Sequence, residues 1–155
     1  TSTQRKPAVA MDSSGNFIVA WDSFSQDGSN YGVYGQRYLS DGTTNGTEFL
    51  VNTYTTSNQL YPSVSLDESG NFTITWSCSG LGDSGYGTFA QRYNISGATQ
   101  GTNFLVNNYT LGNQVEPSIT MDSSGNFVIT WYGPGTGDTT SGIFKQRYNS
   151  SGEIQ

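Results

Sequence analysis

The stretch MDSSGNFIVAW, from Met11 to Trp21, returns as LDESGNFTITW from Leu66 and as MDSSGNFVITW from Met121. Pro7, Pro62 and Pro117 keep the same 55-residue step, as do Gln4, Gln59 and Gln114, and the triplet QRY at Gln36, Gln91 and Gln146. No insertion or deletion interrupts that register. A step kept so strictly places every copy in an equivalent position of a stacked or rotational array, because each unit offers the same surface to its neighbour. The chain therefore reads as a single repeat domain, residues 1–155, divided into units 4–58, 59–113 and 114–155.

Within a unit, alternation with period two marks four strands. In the second copy they are PSVSLD, NFTITW, GTFAQRY and NFLVNN. Val64 and Leu66 share one face, and Phe72, Ile74 and Trp76 form a buried face opposite Thr73 and Thr75. Phe89 and Tyr93 flank Gln91, and Leu105 and Asn107 oppose Phe104 and Val106. Only 12% of the chain is charged while 14% is aromatic, which separates it from disordered sequences and favours strands joined by Gly- and Asn-rich turns. The expected fold is all-β: three tandem four-stranded antiparallel units shaped like β-propeller blades, with a β-trefoil as the alternative. Because 155 residues fall ten short of three full 55-residue units, the last unit is expected to lack its fourth strand.

Several residues recur in every unit and read as parts of the scaffold: Asp12, Asp67 and Asp122; Trp21, Trp76 and Trp131; Arg37, Arg92 and Arg147. The turn DSSGN suits a short hairpin in which Asp12 accepts backbone N–H groups and Gly15 supplies a positive φ. A calcium loop needs several oxygen ligands. Each copy offers one acid, or two in DESG, so the turn is read as structural. The recurrent Arg is expected to pair with the turn Asp of the same or an adjacent unit; the alternative is an exposed Arg lying over a Tyr.

The chemistry available is narrow. A net charge of −6 and only six scattered basic residues argue against nucleic acid. No apolar run reaches the roughly 20 residues of a membrane-spanning helix, so no membrane insertion is expected. Histidine is absent and Cys78 is the only cysteine, which excludes Ser-His and Cys-His nucleophiles, zinc sites and an internal disulfide. Cys78 aligns with Ser23 and Gly133 and reads as a small filler. No catalytic residue, cofactor or metal is expected. Positions kept in all copies serve the fold, whereas a single active site would show as a departure from the repeat. The departures Asp22, Glu48, Glu68 and Glu116 have no partner visible in the sequence.

Binding is the stronger rival. The segments DSFSQDGSNYG, SCSGLGDSGYG and YGPGTGDTTSG differ between copies and lie between the second and third strands, where loops on a rigid scaffold carry function. Phe24, Asp27, Tyr31, Asp83, Tyr86, Tyr132 and Asp138 combine aromatic platforms with hydrogen-bonding groups and form the candidate glycan-binding set. The alternative is that these are connectors whose aromatics fold back on the sheet. Asn45, Asn94, Asn108 and Asn149 head N-x-[ST] triplets and are candidate N-glycosylation sites. Asn71 suits this less, since its counterparts Asn16 and Asn126 lack the hydroxyl residue.

The pattern Q-x-x-P-[AS]-[VI]-x-[ML]-D-x-S-G-N-F-x-[IV]-x-W, followed by G-x-[FY]-x-Q-R-Y and F-L-V-N, resembles tandem repeats of large secreted and surface proteins of bacteria. Those repeats look like four-stranded propeller blades. The resemblance covers the whole chain, carries no catalytic residues, and implies an extracellular or cell-surface location. Gly15 and Trp21 stand too far apart for the sialidase Asp-box, S-x-D-x-G-x-T-W, so that reading is set aside. The expected function is a non-catalytic structural or adhesive module. It would assemble edge to edge or head to tail into a surface assembly or filament, its partner another copy or further repeats of a longer chain. The alternative is a carbohydrate-binding, lectin-like propeller that meets glycans through its variable loops.

Overall fold

A computed structural model describes residues 2–81 and 84–155, with the backbone alone at 138 and 139. Its strands are β1 (Gln4–Met11), β2 (Phe17–Phe24), β3 (Tyr31–Tyr38), β4 (Phe49–Leu50), β5 (Gln59–Leu66), β6 (Phe72–Ser79), β7 (Tyr86–Tyr93), β8 (Thr99–Leu105), β9 (Val115–Met121), β10 (Phe127–Gly135) and β11 (Asp138–Tyr148). They form three antiparallel sheets with the orders β1-β2-β3-β4, β5-β6-β7-β8 and β11-β10-β9, and no helix occurs among the described residues. The first strands pack beside one another, β1 against β5 and β5 against β9, while each sheet fans outward in chain order. This is an arc of propeller blades. The trefoil alternative falls away because every unit is a sheet of its own.

The turn between the first two strands folds as its residues dictate. Asp12 Oδ1 accepts the N–H groups of Ser14 and Asn16, both at 2.9 Å, and Asp12 Oδ2 accepts Asn16 Nδ2 at 3.0 Å. Asp67 and Asp122 repeat the arrangement, and Gly15, Gly70 and Gly125 take φ values of 84°, 79° and 81°. Each turn sets the register of its hairpin, Met11 opposite Phe17 and Leu66 opposite Phe72.

The apolar core lies between the sheets. Ile18, Ala20 and Val33 of the first unit pack on Val64, Phe72, Ile74 and Trp76 of the second. Ala90 and Val106 of the second unit meet Ile119, Phe127, Ile129 and Trp131 of the third. Each hairpin also stacks Phe on the Tyr of QRY, with centroids 4.7 Å apart for Phe17–Tyr38, 4.7 Å for Phe72–Tyr93 and 4.8 Å for Phe127–Tyr148. Cys78 is buried in the first of these cores.

A polar bridge accompanies each core. Asn52 Oδ1 accepts the Val33 N–H at 2.7 Å, while its amide donates to Tyr54 O at 3.0 Å and to Gln59 Oε1 at 3.3 Å. Asn107 does the same with Thr88 N–H, Tyr109 O and Gln114 Oε1, at 2.7, 2.9 and 3.4 Å. All four amide side chains are buried. This corrects the reading of NFLVNN as one strand. β8 stops at Leu105, because Asn107 leaves the ladder to tie the sheet to the next unit, and β4 is only Phe49–Leu50. A second correction concerns YGPGTGDTTSG. β10 and β11 close directly across Thr136 and Gly137, the latter at φ 86°, so the third unit has a tight hairpin where the others have a loop.

Removing Asn107 leaves the Thr88 N–H and the Gln114 carbonyl buried without their partner. Asn107→Ala is therefore expected to cost about 2–3 kcal/mol in denaturant unfolding, whereas Asn108→Ala, at an exposed position, leaves stability unchanged. Burial pushes the Tyr148 phenol up to about 12 and the Tyr93 phenol higher still. The fold thus favours the neutral phenols. That contribution is complete below the unfolded value of about 10 and is lost as pH rises through 10 toward 12. Stability measured against pH should fall above about 10, with a shallower slope in Tyr148→Phe; a flat profile would contradict the assignment.

Candidate functional site

The units differ sharply where the second and third strands are joined. Because β1 runs antiparallel to β2, the start of β1 lies beside the end of β2, with Gln4 opposite Ser23 and Arg5 opposite Asp22. Compared column by column, Arg5 corresponds to Leu60 and Val115, Asp22 to Ser77 and Tyr132, Phe24 to Ser79 and Pro134, and Tyr31 to Tyr86 and Ser141. Only the first unit puts a cation, a carboxylate and two rings together here.

Arg5 Nε donates to Asp22 Oδ1 at 2.8 Å, the one ion pair among the described residues, with the Asp22 side chain 0% and the Arg5 side chain 41% exposed. The guanidinium lies 3.6 Å from the Tyr31 ring centroid, and Phe24 leans on Tyr31 at 5.1 Å. A planar, weakly hydrated guanidinium suits this position, since it stacks on a ring while its edge holds a carboxylate. Asp22 Oδ2 also accepts the Tyr61 N–H of the second unit at 3.4 Å.

That contact belongs to a strained bulge found in every unit. Lys6, Tyr61 and Glu116 have φ values of 53°, 55° and 54°, each directly before proline, where a left-handed backbone is disfavoured. The preceding unit holds the bulge. Asp22 accepts the Tyr61 amide, and Ser77 Oγ accepts the Glu116 amide at 3.1 Å. Lys6 and Glu116 are exposed, and Lys6 Nζ lies 5.3 Å from the Tyr61 ring centroid.

Around this cluster, Ser23 Oγ donates to Gln26 Oε1 at 2.7 Å, and Gln26 Nε2 donates to Glu48 Oε1. Asp27 Oδ1 accepts the Ser29 N–H at 3.1 Å, while Asp27 Oδ2 is buried with no hydrogen-bond partner among the described residues. Burial, and after it the charges of Asp27 and Glu48, push the Tyr34 phenol up. Of the candidate glycan-binding set, the structure brings Phe24 and Tyr31 together and places Asp27 behind them. Tyr86 accepts Asn58 Nδ2 at 3.3 Å and Tyr132 donates to Ser141 Oγ at 2.9 Å, each within its own part of the array. No hydrogen bond or ring contact among the described residues joins those two to the first-unit cluster. Asp83 and the side chain of Asp138 lie outside the described residues. Sequence reasoning did not select Arg5, Lys6 or Tyr61. The departures from repeat symmetry that flagged Asp22 and Glu116 mark these three as well.

The recurrent arginines also differ from expectation. Arg37 Nη1 donates to Ile95 O at 2.7 Å. Arg92 donates to Ser151 O and Ser150 O, both at 2.6 Å, and to Gln100 Oε1 at 2.9 Å. Arg37 and Arg92 therefore grip carbonyls of the following unit's turn, and among the described residues no ion pair joins Arg37, Arg92 or Arg147 to Asp12, Asp67 or Asp122. The turn Asp spends its lone pairs on its own hairpin. Hydrogen bonds from the Asn126 side chain, with lesser help from Arg147, hold the Asp122 carboxyl below its usual range. Among the N-x-[ST] positions, Asn94 and Asn149 use Oδ1 to cap their turns, accepting Ala98 N and Ser151 N at 2.9 and 3.0 Å. Asn45 is half-buried, and Asn108 is exposed. No cluster of three or more His, Cys, Asp or Glu placed to hold a metal occurs among the described residues.

Fold and site together define a propeller arc with an asymmetric cluster on its loop face. No protein-family model matches the chain, and no curated protein matches it in sequence. Solved structures do match. The Hadza microbial sialidase Hz136 shares the fold at a TM-score of 0.68 and 13% identity, over 97% of this chain and 36% of that one. An endo-1,4-beta-xylanase from Bacteroides thetaiotaomicron matches at 0.65 and 13% identity, over 100% of this chain and 59% of that one. An endo-arabinase from the same species matches at 0.61 and 16% identity, over 98% and 58%. The chain thus spans less than two thirds of each of them. These identities show the fold alone, a β-propeller arrangement shared with enzymes named for carbohydrates. They overturn the expectation of a structural or adhesive brick. The strict repeat looked like a building unit because its symmetry reports the scaffold.

The repeat supplies its own test of the ion pair. Arg5→Leu leaves Asp22 buried without its cation and is expected to cost about 1–3 kcal/mol, less than for a fully buried pair because Arg5 is partly exposed. The double variant Arg5→Leu/Asp22→Ser copies Leu60 and Ser77 of the second unit. Its unfolding midpoint should return to near that of the parent, which a double-mutant cycle measures directly.

Proposed function

We propose that this chain is a carbohydrate-binding propeller arc, extracellular in location, whose site is the loop face of the first unit. The observation that carries the reading is the stacked cluster Arg5–Tyr31–Phe24 over buried Asp22, present in one unit of three. Phe24 is 43% exposed and offers an apolar face, while the Arg5 guanidinium beside it keeps N–H donors free of Asp22. Rings beside fixed polar groups give the mixed surface that a sugar's apolar face and hydroxyls require. The carbohydrate enzymes that share the fold support the ligand class. The role proposed is binding: Asp22, the buried acid, is locked by Arg5 and the Tyr61 amide, and Glu48 is held by Gln26.

Arabinan, xylan and sialylated glycans form the test panel, read by calorimetry on the intact chain. Binding to at least one is expected, with no release of reducing ends. Phe24→Ala should weaken it about tenfold, a loss of about 1.4 kcal/mol, while Tyr132→Ala leaves it unchanged. Absence of binding across the panel, or equal effects of the two variants, would overturn the reading.

A further inference from the structure

At the end of the sheets that carries the Asp–Gly turns, away from the β2–β3 connection, a cleft opens between successive units. Between the first and second units it holds about 160 Å³ and is lined by Ile18, Leu66 and Ile95 among others. Between the second and third units it holds about 280 Å³, and the residues at those same three positions of the repeat are Thr73, Met121 and Ser150. Two aliphatic side chains of the first cleft are thus hydroxyl residues in the second.

Thr73 is the anomaly. It is 1% exposed and lines the larger cleft, yet its hydroxyl has no hydrogen-bond partner among the described residues. The other buried Ser and Thr side chains are all paired. Ser23 donates to Gln26 Oε1, Thr75 to Phe89 O and Thr88 to Gln114 O, while Ser77 accepts the Glu116 amide. A buried hydroxyl left unpaired is costly, and an aliphatic residue such as Ile18 or Val128, its counterparts, avoids that cost.

Charge narrows what could pair with it. Asp67 lines the cleft but spends both oxygens on its own turn, accepting Ser69 N, Asn71 N and Asn71 Nδ2. Arg92 also lines it and is held by Ser150 O, Ser151 O and Gln100 Oε1. Carboxylate and guanidinium are therefore both committed, and neither calls for a charged ligand. Exposed hydroxyls remain at Ser69, Ser123, Ser124 and Ser150, beside the buried rings of Phe72 and Phe127.

We propose that the cleft between the second and third units is a second binding site, for a neutral polyol about the size of one sugar ring, one hydroxyl of which pairs with Thr73. Its volume falls just under the roughly 300 Å³ at which ordinary ligand pockets begin, so it admits a single ring and no chain. The site shares no residue with the loop-face cluster and stands independently of it.

Amide chemical shifts of the intact labelled chain, titrated in turn with xylose, arabinose and myo-inositol, test this. Saturable changes at Thr73, Gly125 and Ser150 are expected with at least one of them. Thr73→Val removes the hydroxyl at a position where the other units carry Ile and Val, and should weaken that binding about tenfold. Thr73→Ser keeps the hydroxyl and should retain the binding, and Phe24→Ala should leave it unchanged. Absence of saturable change, which leaves the hydroxyl to water alone, would overturn the proposal. So would equal changes at the counterparts Ile18, Gly70 and Ile95, or a Thr73→Val chain that binds as the parent does. Loop-face binding is scored separately through Phe24→Ala and does not depend on the outcome.

Discussion

A buried side-chain amide bridge is the interaction on which this fold depends. A single four-stranded sheet has two faces and cannot bury both by itself, so each unit needs a neighbour. The link from the outer edge of one sheet to the first strand of the next carries backbone polar groups into the interior, where each must find a partner. Asn52 and Asn107 supply it, capping Val33 and Thr88 and handing their own amides to Gln59 and Gln114. A fully satisfied network of this kind is rigid, and a half-satisfied one is costly. It therefore fixes how one blade sits on the next. The apolar cores and the Arg grips onto neighbouring turns follow from that placement.

A scaffold built this way commits its recurrent residues. Asp12 and its counterparts are spent on hairpins, Arg37 and Arg92 on the next unit's carbonyls, and the Asn–Gln pairs on the links. What is left for chemistry is the set of positions where the units differ, and several of these lie at the end that carries the β2–β3 connection. Arg5, Asp22, Phe24 and Tyr31 there form a polar and aromatic surface that neither other unit has. The prolyl bulge below it is strained in every unit but projects a different residue each time: Lys6, Tyr61, Glu116. One backbone device thus presents three chemistries around the array.

The architecture was legible in the sequence because it is written in local patterns. The 55-residue step, the period-two strands and the Asp–Gly turn report on contacts within a unit. What the sequence did not yield depends on contacts between units. The partner of Arg92 is a backbone carbonyl 58 residues on, which no side-chain pattern announces. Asn107 looked like a strand residue because its alternation continues, yet the need to cap Thr88 pulls it from the ladder. In the third unit, Gly and Pro suggested a loop, and tertiary pairing drew the same residues into a hairpin. Asp22 was visible as a departure, but its partner Arg5 became visible only once β1 and β2 were set in register.

The most direct test of the account is a titration of an arabino- or xylo-oligosaccharide into the isotopically labelled chain, followed by amide chemical shifts. The account predicts that changes concentrate at Arg5, Phe24, Tyr31 and Tyr61, where the units differ. Changes spread equally over the three equivalent positions of the repeat, or confined to the clefts between sheets, would contradict it.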